Sequence, residues 1–248
     1  MTDEIVKKDE AGLATFDAEM AKYAREAAAV EVTGGNFLSF KGGLFVNKQQ
    51  MKDNKADVII LDSIFVNEHY EGDWDPDNPT SPNCYAFGRS EEDLKAFEKA
   101  REKQCDNCAA CPLNQWGSGK KGKGKECRNT RRLALIAASS DPASEDIYHA
   151  KLSVSQLKDW GAYVKSLAGQ YQLPPFGVVT TIQWVPDAKS QYRLKFLMKA
   201  PLPREGMDVI MRRVREAREG IQFPFPEFAK PAEQSAEEPS APKKPKKY

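Results

Sequence analysis

Hydrophobic residues recur at helical spacing in three stretches of the chain, and each stretch predicts an amphipathic helix. The first lies in the N-terminal segment 1–32, and the second follows Ser153, a residue type that caps helix N-termini. The third, within residues 204–221, has an apolar stripe formed by Met207, Ile210, Val214, Ala217 and Ile221. The charged segment 90–104 also predicts a helix.

Short apolar or alternating runs, bounded by glycine and proline turns, predict strands in the rest of the chain. They include a buried run from Val58 to Leu61 and residues 176–200, which form two strands joined at Pro186–Asp187. Because the strands are short and do not alternate regularly with helices, the pattern predicts an α+β fold that is mainly β. The architecture that fits it best is a small OB-like barrel, the oligonucleotide-binding type.

This barrel domain is predicted to span residues 33–228, with a metal-binding insertion at residues 84–128 and flanking helices. The N-terminal helical segment, residues 1–32, precedes it. Residues 229–248 are rich in Pro, Glu, Ala and Lys and predict a disordered tail.

Composition narrows the class of protein. Of 248 residues 29% are charged, the mean hydropathy is −0.63, and no run of 18 apolar residues occurs. The first residues lack the charged-then-apolar pattern of a secretory signal. We therefore expect a cytoplasmic protein with no membrane partner.

Five cysteines provide the strongest chemical signal, and four of them lie within 23 residues. Clustered thiols in a chain without an export signal favour a metal site over disulfides. Two cysteines three positions apart can bind one ion from a tight turn, and the preferred ion is a structural zinc. The candidate ligands are Cys84, Cys105, Cys108, Cys111 and Cys127. The preferred shell is Cys84, Cys105, Cys127 and either Cys108 or Cys111, and the spacing leaves open which four of them bind.

An iron–sulfur cluster is the alternative, because Cys-x2-Cys-x2-Cys followed by Pro112 partly resembles ferredoxin loops. The hydrophilic surroundings favour zinc instead. His69 and His149, the only histidines, stand at no ligand-like spacing, which also argues against a catalytic zinc.

Positive charge is concentrated beside the cysteines although the net charge of the chain is only +1. Between Asn114 and Leu133 seven basic residues stand against the single Glu126, a local net charge of +6. The Gly-Lys loop is not a nucleotide-binding P-loop, because Gly124 and Glu126 occupy the positions that need Ser or Thr. A basic, glycine-rich loop beside an aromatic residue instead predicts contact with nucleic-acid phosphates. The predicted contact residues here are Trp116, Lys120, Lys121, Lys123, Lys125, Arg128, Arg131 and Arg132.

A second basic surface is predicted in residues 191–200, where apolar Tyr192, Leu194 and Phe196 alternate with Arg193 and Lys195. One face of such a strand packs in the core while the other presents charge. The carboxylates of residues 73–77 lack the downstream residues of a calcium loop or a nuclease, so no catalytic residues are predicted and an enzyme is not expected.

Four motifs together resemble a family of proteins encoded by tailed phages, whose members are similar to phage single-stranded DNA-binding proteins of the OB-barrel type. The motifs are SPNCYAFGR, CPLNQWGSG, GKGKECRNTRRLALI and LSVSQLKDWGAYVKSLA, and the likeness spans roughly residues 34–200. The resemblance implies a barrel that coats single strands during phage replication or recombination. Proteins of this class typically end in an acidic tail, whereas residues 231–248 carry a net charge of +1.

The expected function is therefore non-catalytic, sequence-independent binding of single-stranded DNA, with replication or recombination proteins as further candidate partners. Two alternatives stay open at this stage: a zinc-knuckle adaptor that binds a replication or host protein, and an iron–sulfur nucleic-acid enzyme.

Overall fold

The computed structural model describes Met20 and residues 36–40, 42–46, 49–72, 80–139 and 141–225. The predicted N-terminal helical segment, Met20 apart, and the predicted tail at residues 229–248 lie outside these residues. Met20 is helical and half-exposed.

Strand β4 (Lys55–His69) organises the sheet, because its apolar residues are buried on both faces along most of its length. β6 (Arg128–Ala137) pairs antiparallel with one edge of it, from Val58 to Glu68. The other edge is shared by β8 (Val178–Asp187), which pairs with the start of β4, and β5 (Cys84–Gly88), which pairs with its end.

The described residues form nine strands in one sheet, which curls into a half-barrel. Its order is β3-β2-β1-β7-β6-β4-β8-β9, with β5 beside β4. Among the pairings of the described strands, only that of β1 with β7 is parallel. The remaining strands are β1 (Phe37–Ser39), β2 (Phe45–Val46), β3 (Gln49–Gln50), β7 (Tyr148–Leu152) and β9 (Gln191–Pro201).

One helix packs on each face of the sheet, so the strands alternate between two hydrophobic cores. α1 (Leu157–Ser166), extended by a π-helical turn at Leu167–Tyr171, covers the face that carries Leu133 and Leu135. α2 (Met207–Gly220) covers the opposite face, which carries Ala134 and Ile136. We call these the α1 face and the α2 face. Each large aliphatic side chain buried here stabilises the fold by about 1.5–3 kcal/mol.

Two of the three helices predicted within the described residues are confirmed, namely the one after Ser153 and the one within residues 204–221. Before α1 the Ser153 and Gln156 side chains form a capping box around a 3-10 turn, Val154–Gln156. In α2 the predicted stripe is the buried one, with Ile210, Val214, Ala217 and Ile221 in the core. The hairpin of β8 and β9 is confirmed as well, although its turn follows Asp187.

The helix predicted for residues 90–104 is wrong, because this segment forms turns. Its apolar residues pack individually rather than along one helical stripe. Leu94 is buried beside Cys108, while the ring of Phe97 stacks on Tyr85 at 5.4 Å. The segment also contains a short bridge between Ala96 and Ala86 of β5, so tertiary contacts outweigh helix propensity.

The mixed α+β class, mainly β, is thus confirmed at the level of a curled half-barrel sheet with two helices. In the part of the chain that the structure describes, no helix has the length and apolar character needed to span a membrane.

Candidate functional site

All five cysteines line one small cavity at the end of the sheet, on the α1 face. Cys84 begins β5 and lies opposite His69 of β4 in register. Cys105, Cys108 and Cys111 come from the loop between β5 and β6, and Cys127 directly precedes β6. The cavity has a volume of about 10 Å³, which is the space of a single water-sized sphere.

Hydrogen bonds within the loop of residues 105–127, which we call the knuckle, and to Leu94 before it hold this loop in place. The Cys108 N–H donates to the Leu94 carbonyl at 2.9 Å, and the Cys127 N–H donates to the Leu113 carbonyl at 2.8 Å. Pro112 starts a 3-10 turn, Pro112–Asn114, which suits its fixed φ and missing N–H. The Asn114 amide then donates back to the Cys108 carbonyl at 2.8 Å. These contacts position the cysteine-bearing backbone without a bound metal.

Burial and mutual repulsion disfavour thiolates in the metal-free cavity. Burial, together with the neighbouring cysteines, raises the pKa of Cys108 to about 11 and the pKa of Cys127 to about 12. Burial raises the pKa of Cys84 as well. A bound cation would compensate the negative charge of the thiolates, and its binding would release the thiol protons.

The thiols differ in burial and in the element that carries them. Cys108, Cys111 and Cys127 are buried, and Cys84 is half-buried at the start of β5. Cys105 is half-buried in the loop between β5 and β6.

Three hydrogen bonds point at the sulfurs. The Asn67 side chain bonds Cys108, the Glu68 backbone bonds Cys127 and the Gln104 backbone bonds Cys84, and each favours the thiolate. Donors of this kind orient and stabilise metal-bound sulfur. The donor set therefore fits a soft divalent cation such as zinc.

The described residues contain no group of three or more His, Cys, Asp or Glu side chains already set to hold a metal. The cysteines are thus brought to one cavity without ligand geometry.

Two residues lie in this site that the sequence analysis did not assign to it: Asn67, and His69, which stands at no ligand-like spacing. His69 lines the cavity, and its buried Nδ1 has no hydrogen-bond partner among the described residues. Asn67 of β4 is linked to the knuckle through Asn129, whose side-chain amide donates to Asn67 at 2.7 Å and to Asn114 of the knuckle at 2.9 Å. Only strand pairing across β4, β5 and β6 places these residues here; the strand period of 2 that puts Asn67 and His69 on one face was the available signal.

The exposed side of the knuckle carries the predicted aromatic and basic residues. Trp116 is 81% exposed, and Lys120 and Lys123 are exposed as well. The side chain of Lys121 lies outside the part of the chain that the structure describes. Lys125 is half-buried and its Nζ donates to the Asn114 Oδ1 at 3.3 Å.

The glycines of this loop serve the backbone rather than a phosphate cradle. The N–H groups of Gly117 and Gly119 both donate to the Gly124 carbonyl, at 2.7 and 3.4 Å. A Cβ on Gly119 would lie 2.2 Å from the Lys123 carbonyl oxygen. Both N–H groups are therefore already bonded, so the predicted phosphate contacts of this loop would come from its lysine side chains.

The arginines of β6 point to three different environments. Arg128 is exposed, and its guanidinium lies 5.2 Å from the Tyr70 ring centroid. Arg131, on the α1 face, stacks on Phe65 at 3.6 Å. Burial lowers the pKa of Arg131.

Arg132 does not reach the surface, which corrects its prediction as a phosphate contact. It is 6% exposed on the α2 face and donates to the carbonyl oxygens of Ile221 and Phe223. Its charge lies over the Phe87 and Phe223 rings, and burial lowers its pKa to about 10. The structure gives Arg132 a structural contact in place of a DNA contact.

Arg193 and Lys195 lie on β9, separated from β6 by β8 and β4. The predicted alternation is confirmed there, since Leu194 and Phe196 are buried while Arg193 and Lys195 are exposed. Arg193 forms an ion pair with Asp159 of α1. The structure does not bring these two residues together with the knuckle.

Comparisons with protein-family models, with curated proteins and with solved structures gave no significant match.

Proposed function

We propose that the chain is a non-catalytic, sequence-independent single-stranded DNA-binding protein that acts in phage DNA replication or recombination, in the cytoplasm of the host cell. The observation that carries the proposal is Trp116, 81% exposed on a loop with exposed Lys120 and Lys123. A large aromatic surface beside cations matches how single strands are bound, by base stacking and phosphate contact. The curled, partly open sheet is compatible with an OB-type barrel.

Zinc is the proposed structural cofactor, held by Cys84, Cys108, Cys111 and Cys127. Cys108, Cys111 and Cys127 are buried, and Cys84 is held in β5 opposite His69, whereas Cys105 is half-buried in the loop. This set differs from the shell preferred from the sequence, which contained Cys105. When bound, the ion would tie the knuckle to β5 and β6 and hold Trp116 and the lysines in place. Cys105 and His69 are the remaining donors beside it.

Fluorescence titration with oligo-dT tests the function. We expect quenching of Trp116 and an affinity that falls steeply with salt, by about 0.7 units of log K per unit of log salt for each phosphate contact. Trp116→Ala removes a stacking contact worth about 1–3 kcal/mol, so Kd rises about 5- to 150-fold. Trp116→Phe is the matched control, because it keeps a ring and should retain most of the affinity.

Absence of oligo-dT binding by the zinc-loaded protein would refute the proposal. The exposed Trp116 also suits a protein-binding hot spot, so the zinc-knuckle adaptor is the second candidate in that case. Metal analysis of the purified protein separates both from the iron–sulfur alternative, since a cluster gives a brown protein with iron and sulfide.

A further inference from the structure

An open cleft of about 750 Å³ adjoins the knuckle on the α1 face, between α1 and the strands β4 and β6. Its position follows from the pairing of β4. On that edge β8 covers residues 55–58 and β5 covers residues 65–69, and no described strand pairs with the stretch between them. The lining comes from Ser63 and Phe65 of β4, Arg131 of β6, Trp160 and Lys165 of α1, and Arg89 after β5.

The cleft is continuous with the knuckle through β4 and β6. Arg131 pairs with Phe65 in register, and two residues along the same face Asn129 pairs with Asn67. Asn129 bonds Asn114 of the knuckle at 2.9 Å. Phe65 also packs against the small cluster that contains Cys108. On the α1 face, β4 and β6 therefore lead from the knuckle to the cleft.

One wall is a planar, charged platform. The Arg131 guanidinium lies 3.6 Å from the Phe65 ring centroid, and its Nη1 donates to the Ser63 hydroxyl at 3.4 Å. A guanidinium fixed over a ring offers both a flat surface and donors in a fork, which suits a nucleotide.

The opposite wall supplies a free cation. Lys165 is exposed on α1 and forms no ion pair with any described residue. Arg89, in contrast, is tied to Asp62 by two hydrogen bonds of 2.8 and 2.7 Å. Glu91 and Glu92 line the cleft as well, and Glu91 interacts electrostatically with Arg131. Lys165 is therefore the cation of the lining that pairs with no described acid.

We propose that this cleft binds the nucleotides of a single DNA strand that follow those bound at the knuckle, with Lys165 and Arg131 contacting the phosphodiester backbone. The inference rests on the proposed function and extends it, since it assigns a second, previously unpredicted stretch of the strand's path. The volume of about 750 Å³ is within the range of small-ligand sites and holds one or two nucleotides.

Lys165→Gln in the full chain tests the cleft, with Lys158→Gln as the matched control. Both lysines are exposed on α1, and only Lys165 lines the cleft. Fluorescence anisotropy with labelled oligo-dT should show Kd raised about 3- to 10-fold for Lys165→Gln and a salt slope reduced by about 0.7. Lys158→Gln should leave both quantities unchanged, and thermal melting should show that both variants are folded.

The outcomes separate the two proposals. If the unaltered protein binds oligo-dT and Lys165→Gln binds equally well with an unchanged slope, the cleft assignment is wrong and the function stands. If the unaltered protein does not bind oligo-dT, both are wrong. A parallel titration with free thymidine monophosphate covers the other source of the same chemistry. Binding of the mononucleotide that Lys165→Gln abolishes, with oligo-dT binding unaffected, would overturn the strand path in favour of a nucleotide site.

Discussion

Arg132 and Phe223 are bound to each other twice: the guanidinium donates to the Phe223 carbonyl oxygen at 3.0 Å and lies 3.8 Å from the centroid of its ring. The same guanidinium donates to the Ile221 carbonyl at 2.9 Å. The segment after α2 is thereby fastened across the α2 face, where Phe223 also meets Phe37 and His149. A charge that resembles a DNA contact in the sequence is instead part of the core.

Arg132→Gln should lower the free energy of unfolding by about 2–4 kcal/mol, because buried carbonyl oxygens lose charged donors. Urea unfolding measures this loss. Arg132→Lys is the control, since it keeps the charge but not the forked donor, and should recover part of the stability. The salt dependence of oligo-dT binding should not change in either variant. A reduced salt slope with normal stability would restore Arg132 to the DNA surface.

Local pattern was sufficient for α1, α2 and the β8–β9 hairpin because their burial follows helical or strand periodicity. It failed for residues 90–104, whose apolar side chains are placed by β5 and the knuckle rather than by a helical stripe. No local signal marks Arg132, since its carbonyl partners are 89 and 91 residues away in the chain.

The candidate site shows the same division. The C-x2-C signal is local and marks Cys105, Cys108 and Cys111, while Cys84 and Cys127 were candidates because they are the remaining cysteines of the chain. His69 and Asn67 could not be found that way, because register across β4, β5 and β6 carries them to the cysteines.

His149 should make the protein less stable in mild acid. Its folded pKa is lowered to about 4 by burial and by Arg132, against 6.5 in the unfolded chain. As pH falls below 6.5 the unfolded chain takes up a proton that the folded protein refuses, so stability decreases until about pH 4 and then levels off. The loss is at most about 3.4 kcal/mol, and less where solvent screens this partly exposed ring. Urea unfolding from pH 7 to 4 should show it, and His149→Phe should lose this component. An identical pH profile in the variant would contradict the assignment.

Zinc content should depend on four of the five cysteines. We expect about one equivalent of zinc in the purified protein, and little or none after Cys84→Ser, Cys108→Ser, Cys111→Ser or Cys127→Ser. Cys105→Ser is the matched control from the same knuckle and should retain the metal. Elemental analysis of each variant gives the answer directly. Loss of zinc from Cys105→Ser with retention in Cys111→Ser would replace the proposed set of ligands.

Gly119→Ala should disturb the knuckle without touching a thiol. The added Cβ would lie 2.2 Å from the Lys123 carbonyl oxygen, so the loop closed by the Gly124 carbonyl must open. We expect a loss of roughly 1–3 kcal/mol in urea unfolding and a rise in Kd for oligo-dT, because Trp116 and the lysines lose their fixed positions. Gly220→Ala at the end of α2 is the control, since its Cβ meets no atom within 4 Å and alanine favours a helix by up to about 0.5–1 kcal/mol. If Gly119→Ala matches the unaltered protein in both measurements, a rigid knuckle is not needed to present Trp116.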